Sequence, residues 1–175
     1  MINKKIEEAF NKQINEEMYS AYLYLSMAAW FDSVNLKGFS HWMKAHAQEE
    51  MFHAMKFYNH IFERGGNVSL AAIAEPEKKW ASPLNVYEEA LTHENHITQC
   101  IDDLMDLAVD EKDYASQNLL KWFVDEQVEE EDTFSEMVEK LKMIGDHNHM
   151  LLMQDKEMGQ RKPGVNPFFY TSAEE

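Results

Sequence analysis

The sequence predicts an all-α fold, a four-helix bundle with one long crossover between its second and third helices and a short fifth helix near the C-terminus. Three observations carry that expectation. Only 6 Gly and 4 Pro occur in 175 residues, which favours long uninterrupted helices over a turn-rich β fold. Four long segments, 5–32, 37–64, 84–111 and 115–144, keep helical character, and 148–158 adds a short fifth. The stretch 67–81 lacks a sustained 3.6-residue period and holds Pro76, so it reads as a connection.

Each element has its own signals. The first segment carries an apolar stripe through Phe10, Ala21, Tyr24 and Ala28, and Asp32-Ser33-Val34-Asn35 breaks it. Gly38 opens the second, which stops at Glu63-Arg64-Gly65-Gly66, a cation followed by glycines. Ser82-Pro83 supplies the N-cap and first helical position of the third, with Glu88 and Glu89 near its positive end. Gly145 closes the fourth. Fully extended, the stretch 67–81 reaches about 50 Å, whereas a helix of such a bundle is about 40 Å long. The crossover can therefore run the full length of the bundle, while the short links at 33–36 and 112–114 force antiparallel hairpins. Residues 1–162 are expected to form one domain. The tail 163–175, with Pro163, Gly164 and Pro167, is expected to be irregular.

Composition narrows the function. The net charge is −16, from 16 Lys+Arg against 32 Asp+Glu. Such a chain repels phosphate backbones and attracts cations, so no nucleic-acid partner is expected. Cys100 is the only cysteine, so it forms no intrachain disulfide and reads as a small buried apolar residue in a reducing compartment. The start, Met1-Ile2-Asn3-Lys4-Lys5-Ile6-Glu7-Glu8, has no apolar stretch of signal-peptide length. The longest uncharged run, Met18 to Phe31, is too short to span a bilayer. No membrane partner is expected, and the cytoplasm is the expected location.

The carboxylates carry the chemistry. Glu17 falls on the apolar stripe between Phe10 and Tyr24, and a buried carboxylate without a partner costs several kcal/mol, so it needs a cation or a proton. On the second segment Glu50 and His53 lie three apart, one turn along the same face, where both reach one metal. The third segment offers Glu94, and the fourth offers Gln127 and Glu130 at the same spacing of three. A constant offset of 77 positions carries Glu17, Glu49, Glu50 and His53 to Glu94, Glu126, Gln127 and Glu130, so the two hairpins share one layout. Counted from the helix ends, Glu17 and Glu50 differ in height by only about 3 Å. A lone Glu-x-x-His is common on helices, and an acidic run is usually a solvated face. One acid on two helices and one spaced pair on the other two, at matching heights, points to a metal centre.

These residues resemble the bacterial and archaeal non-haem ferritins along nearly the whole chain. The resemblance rests on Asn15-Glu16-Glu17-Met18-Tyr19-Ser20-Ala21-Tyr22-Leu23-Tyr24-Leu25, Gly38-Phe39, Gln48-Glu49-Glu50, Glu63-Arg64-Gly65-Gly66 and Glu126-Gln127-Val128-Glu129-Glu130. It implies a ferritin-like bundle with a di-iron ferroxidase centre of Glu17, Glu50, His53, Glu94, Gln127 and Glu130 that oxidises Fe(II) with dioxygen or peroxide. It also implies an accessory third iron site at Glu49, Glu126 and Glu129, and a catalytic role for Tyr24, for which a core tyrosine with a bonded hydroxyl is the plain alternative. The implied assembly is a hollow homo-oligomer of 24 subunits, and the apolar circumference of Met18 to Phe31 agrees with a covered face. Haem is not expected. Met51 stands where bacterioferritins carry a haem-binding methionine, but the second Glu-x-x-His of those proteins is Gln127-x-x-Glu130 here. The competing reading is a bacterioferritin-like or peroxide-scavenging enzyme with a permanent di-iron cofactor.

Overall fold

The Asn3 side chain accepts from the backbone of Lys5 and starts a helix that runs through Phe31 before the chain turns. The computed structural model describes residues 1–161, and the tail expected at 163–175 lies outside the described residues. Five helices and no strands occur among them: α1 Lys4–Ser33, α2 Lys37–Glu63, α3 Pro83–Asp110, α4 Tyr114–Ile144 and α5 Asn148–Met158. All five fall within a residue or two of the expected segments. The Ser82 hydroxyl caps α3 by accepting from Asn85 N at 3.1 Å, with Pro83 at the first position, as the sequence predicts.

The short links make the turns that antiparallel hairpins require. Asn35 (φ 62°) and Lys112 (φ 54°) both take the left-handed conformation, one in each link. Hairpin α1–α2 packs against hairpin α3–α4. Contacts between α1 and α3 run antiparallel: Asn3 reaches Glu111, Ser20 reaches His93 and Tyr24 reaches Glu94. Those between α2 and α4 do likewise, from His46 with Glu130 to Arg64 with Asp113.

The crossover lies lengthwise on α1. The Asn11 amide brackets it at Asn67 O and Ser69 N, Asn15 donates to Ala72 O, and Ser26 donates to Glu77 O. At its far end Trp80 packs edge-on to Trp30 and donates to Glu89 at 2.8 Å. It spans the bundle as its length allowed.

Helix α5 docks in a way the sequence does not announce. Nothing at Leu36 caps α2. Asp155 on α5 does so instead, accepting from Gly38 N at 2.8 Å and Phe39 N at 3.0 Å. Gly38 must lack a side chain for this, because a Cβ there would sit 1.6 Å from Asp155 O.

The apolar interior comes in two parts. One gathers Tyr24, Met27, Phe31, Phe39, Met43, Tyr87 and Phe134; the other gathers Ile6, Phe10, Ile14, Phe57, Ile101 and Phe123. Between them every long helix interrupts its apolar stripe with a polar side chain. Cys100, expected inside, is only half-buried, because it lies toward the outer edge of α3 beside His96.

Candidate metal centre

The polar layer holds Glu17, His46, Glu50, His53, Glu94, Gln127 and Glu130, each no more than 6% exposed. Each sits where its stripe turns inward: Glu17 between Ile14 and Ala21, Glu94 between Ala90 and Ile97, and Glu130 between Phe123 and Phe134.

Two groups of ligand atoms gather there, each within 4.8 Å: Glu17, Glu50 and His53, and His46, Glu50 and Glu130. They share Glu50. His53 Nδ1 stands 3.3 Å from Glu50 Oε2. Glu94 lies in the layer beside these groups, accepting from the Tyr24 hydroxyl and from Gln127 Nε2 at 3.2 Å. Gln127 also donates to Thr98 Oγ1 at 3.3 Å, so its amide braces the Glu94 carboxylate. The central residues read from the sequence are thus brought together.

Sequence reasoning passed over His46. It lies four residues before Glu50, and a spacing of four followed by three puts His46, Glu50 and His53 on one face of α2. That periodicity was the available signal. Nε2 of His46 lies 2.7 Å from Glu130 Oε2.

The three accessory residues are spread out. Glu49 is partly exposed and bonded to Arg161. Glu126 is half-buried, with Oε1 3.9 Å from His53 Nε2, and Glu129 is exposed. Among the described residues they do not form a third compact group.

The electrostatics are those of a site short of positive charge. Burial, then the neighbouring Glu50, pushes Glu17 well above the ordinary carboxylate range. Glu50 is raised by burial, then by Glu94 and Glu130, and Glu94 by burial and Glu130. Burial also acts upward on Glu130 as the largest single influence. His46, His53 and Arg161 together outweigh it, and Glu130 ends below its usual range. Burial, then Glu94, lifts the Tyr24 hydroxyl well above its ordinary value, so it stays a donor. Among the described residues Glu17 Oε2 is buried with no hydrogen-bond partner. A carboxyl oxygen left bare in a dry interior fits a cation, as does the mix of carboxylate and imidazole donors.

Comparison with known proteins agrees with this geometry. The sequence model of the ferritin-like domain family matches residues 7–144, from the first turn of α1 to the end of α4. A bacterial non-heme ferritin of Bacteroides fragilis is 43% identical over 161 residues, covering 92% of this chain and 100% of that one. One from Staphylococcus saprophyticus is 39% identical, covering 92% and 96%. The open pore ferritin of the archaeon Archaeoglobus fulgidus superposes with a TM-score of 0.91 at 51% identity, covering 93% of this chain and 99% of that chain. The crossover bundle, its buried acidic layer and kinship along nine-tenths of its length place this chain in the ferritin family.

Proposed function

We propose that this protein stores iron and is a ferroxidase: it takes up Fe(II) at an intra-subunit centre, oxidises it with dioxygen and passes the ferric product into a shell of 24 copies. The observation that carries this reading is the compact group of Glu17, Glu50 and His53, with Glu94 and Glu130 buried in the same layer. Buried carboxylates on both sides of Glu50 suit two cations held side by side. Four carboxylates, Glu17, Glu50, Glu94 and Glu130, would balance two Fe(II) ions, and a low-dielectric interior rewards that neutrality. The names of the relatives, non-heme ferritins, support iron as the metal.

In this mechanism iron is substrate and not a resident cofactor. Glu17 and Glu50 hold protons in the empty site and release them as Fe(II) binds. Each of two Fe(II) ions gives one electron to dioxygen, which is reduced by two. Tyr24 keeps Glu94 oriented through its hydroxyl, which is the part it plays in catalysis in this reading. Gln127 adds no charge, so the ferric product is held loosely. Glu49, Glu126 and Glu129 form the exit side, partly or fully exposed and acidic.

Initial rates of Fe(II) oxidation test this. Glu50→Ala removes the central carboxylate and should lower the rate about tenfold or more, with the helical signal unchanged. A wild-type rate in that variant would end the assignment.

A further inference from the structure

Arg161 lies beyond α5, far in sequence from the polar layer, yet it is fastened to the outer side of that layer. Its backbone carbonyl is bonded to His41 Nε2 at 2.7 Å. Its guanidinium stacks 4.5 Å from the centre of the Trp42 ring. One arm of the fork, Nη1, meets His46 Nδ1 at 2.5 Å, and the other, Nη2, meets Glu49 Oε2 at 2.5 Å. His41, Trp42, His46 and Glu49 follow one another along one side of α2. The docking of α5, through Asp155 on α2, delivers the arginine to this place.

A guanidinium has five donors and no acceptor. The nitrogen it faces must therefore present a lone pair. Glu49 Oε2 also lies 3.3 Å from His46 Nδ1, but the Arg161 nitrogen at 2.5 Å stands closer, and a hydrogen on Nδ1 would point at that donor. The proton of His46 accordingly sits on Nε2, which lies 2.7 Å from Glu130 Oε2 and donates to it. With Nδ1 taken by Arg161 and Nε2 donating to Glu130, His46 has no lone pair left for a metal. We infer that Arg161 is a positioning residue that fixes His46 as a hydrogen-bond donor to Glu130, and so keeps a second imidazole out of the candidate centre. The same guanidinium also holds Glu49 through Nη2.

This inference rests on the metal centre proposed above, and the two can fail separately. The probe is Co(II), added without oxygen to the assembled full-length protein and followed by its visible absorption bands. Arg161→Met keeps an aliphatic side chain over Trp42 and removes every donor, and Arg161→Ala is the second variant. In both, His46 is free to turn a lone pair toward the ion, and the bands should shift to shorter wavelength as nitrogen replaces oxygen. Adding His46→Gln to either variant should restore the wild-type bands. A packing role for Arg161 predicts no such restoration. Unchanged bands in both arginine variants, or a shift that survives His46→Gln, would overturn the inference. Wild-type Co(II) bands that Glu50→Ala leaves intact would refute the centre itself, and this inference with it.

Discussion

At the scale of the residue, Glu17 shows that the centre is held at a cost to the empty protein. Its Oε1 accepts from Gln13 at 3.0 Å, while Oε2 has no partner and faces the field of Glu50. A buried oxygen in that position destabilises the fold by about 1–3 kcal/mol. Glu17→Gln keeps the size, removes the acid and gives Glu50 a donor. The metal-free variant should melt a few degrees higher, a gain of about 1 kcal/mol. After anaerobic loading with Fe(II) the order should reverse, because the variant has lost a charged ligand. Thermal melts followed by circular dichroism read both. A metal-free variant no more stable than wild type would show that Glu17 is not strained.

At the scale of the element, the ends of helices from different hairpins are tied together. Arg64, at the C-terminal end of α2, makes a two-pronged contact with Asp113 at 2.9 and 3.0 Å. Asp113 is at the same time the N-cap of α4, accepting from Ser116 N at 3.1 Å. Burial raises the Asp113 pKa most of any single influence, but the bonds from Arg64 and Ser116 outweigh it and leave it lowered. The unfolded chain therefore binds the proton more readily, and the pair stabilises the fold above the unfolded value of 3.8. That contribution disappears as pH falls through the folded value. Asp113→Asn keeps a capping oxygen and loses the charge. It should cost about 1 kcal/mol at neutral pH, discounted for the partial exposure of Arg64. The gap to wild type should close in acid, and urea melts across pH would reveal it. A gap of constant size would assign the whole effect to the cap.

At the scale of the whole molecule, one face of α1 is left uncovered by the described residues of a single chain. Tyr22 is 50% exposed and Leu25 49%, within the run from Met18 to Phe31 that carries no charge. Apolar side chains grouped on a helix surface mark a contact with another protein, and a shell of identical subunits supplies one. Leu25→Glu combined with Tyr22→Ser should release smaller species in sedimentation velocity while the helical signal stays intact. A particle of unchanged size would remove this face from the assembly.

The sequence by itself determined the helices, the antiparallel hairpins and the long crossover. Those follow from local rules: the Ser82-Pro83 cap, the glycines at Gly65 and Gly145, and a stretch too irregular to coil. It also placed Glu17, Glu50, His53, Glu94, Gln127 and Glu130 at one height, because a rise fixed per residue turns spacing into axial position. Only the tertiary structure decided how those side chains are bonded to one another. Gln127 turned out to brace Glu94, and His46 joined Glu130 across the bundle, since rotation about the helix axis and partner choice depend on packing between hairpins. The part played by α5 was hidden for the same reason. Asp155 capping α2, and Arg161 reaching His46 and Glu49, join residues more than a hundred positions apart, where no local spacing rule applies.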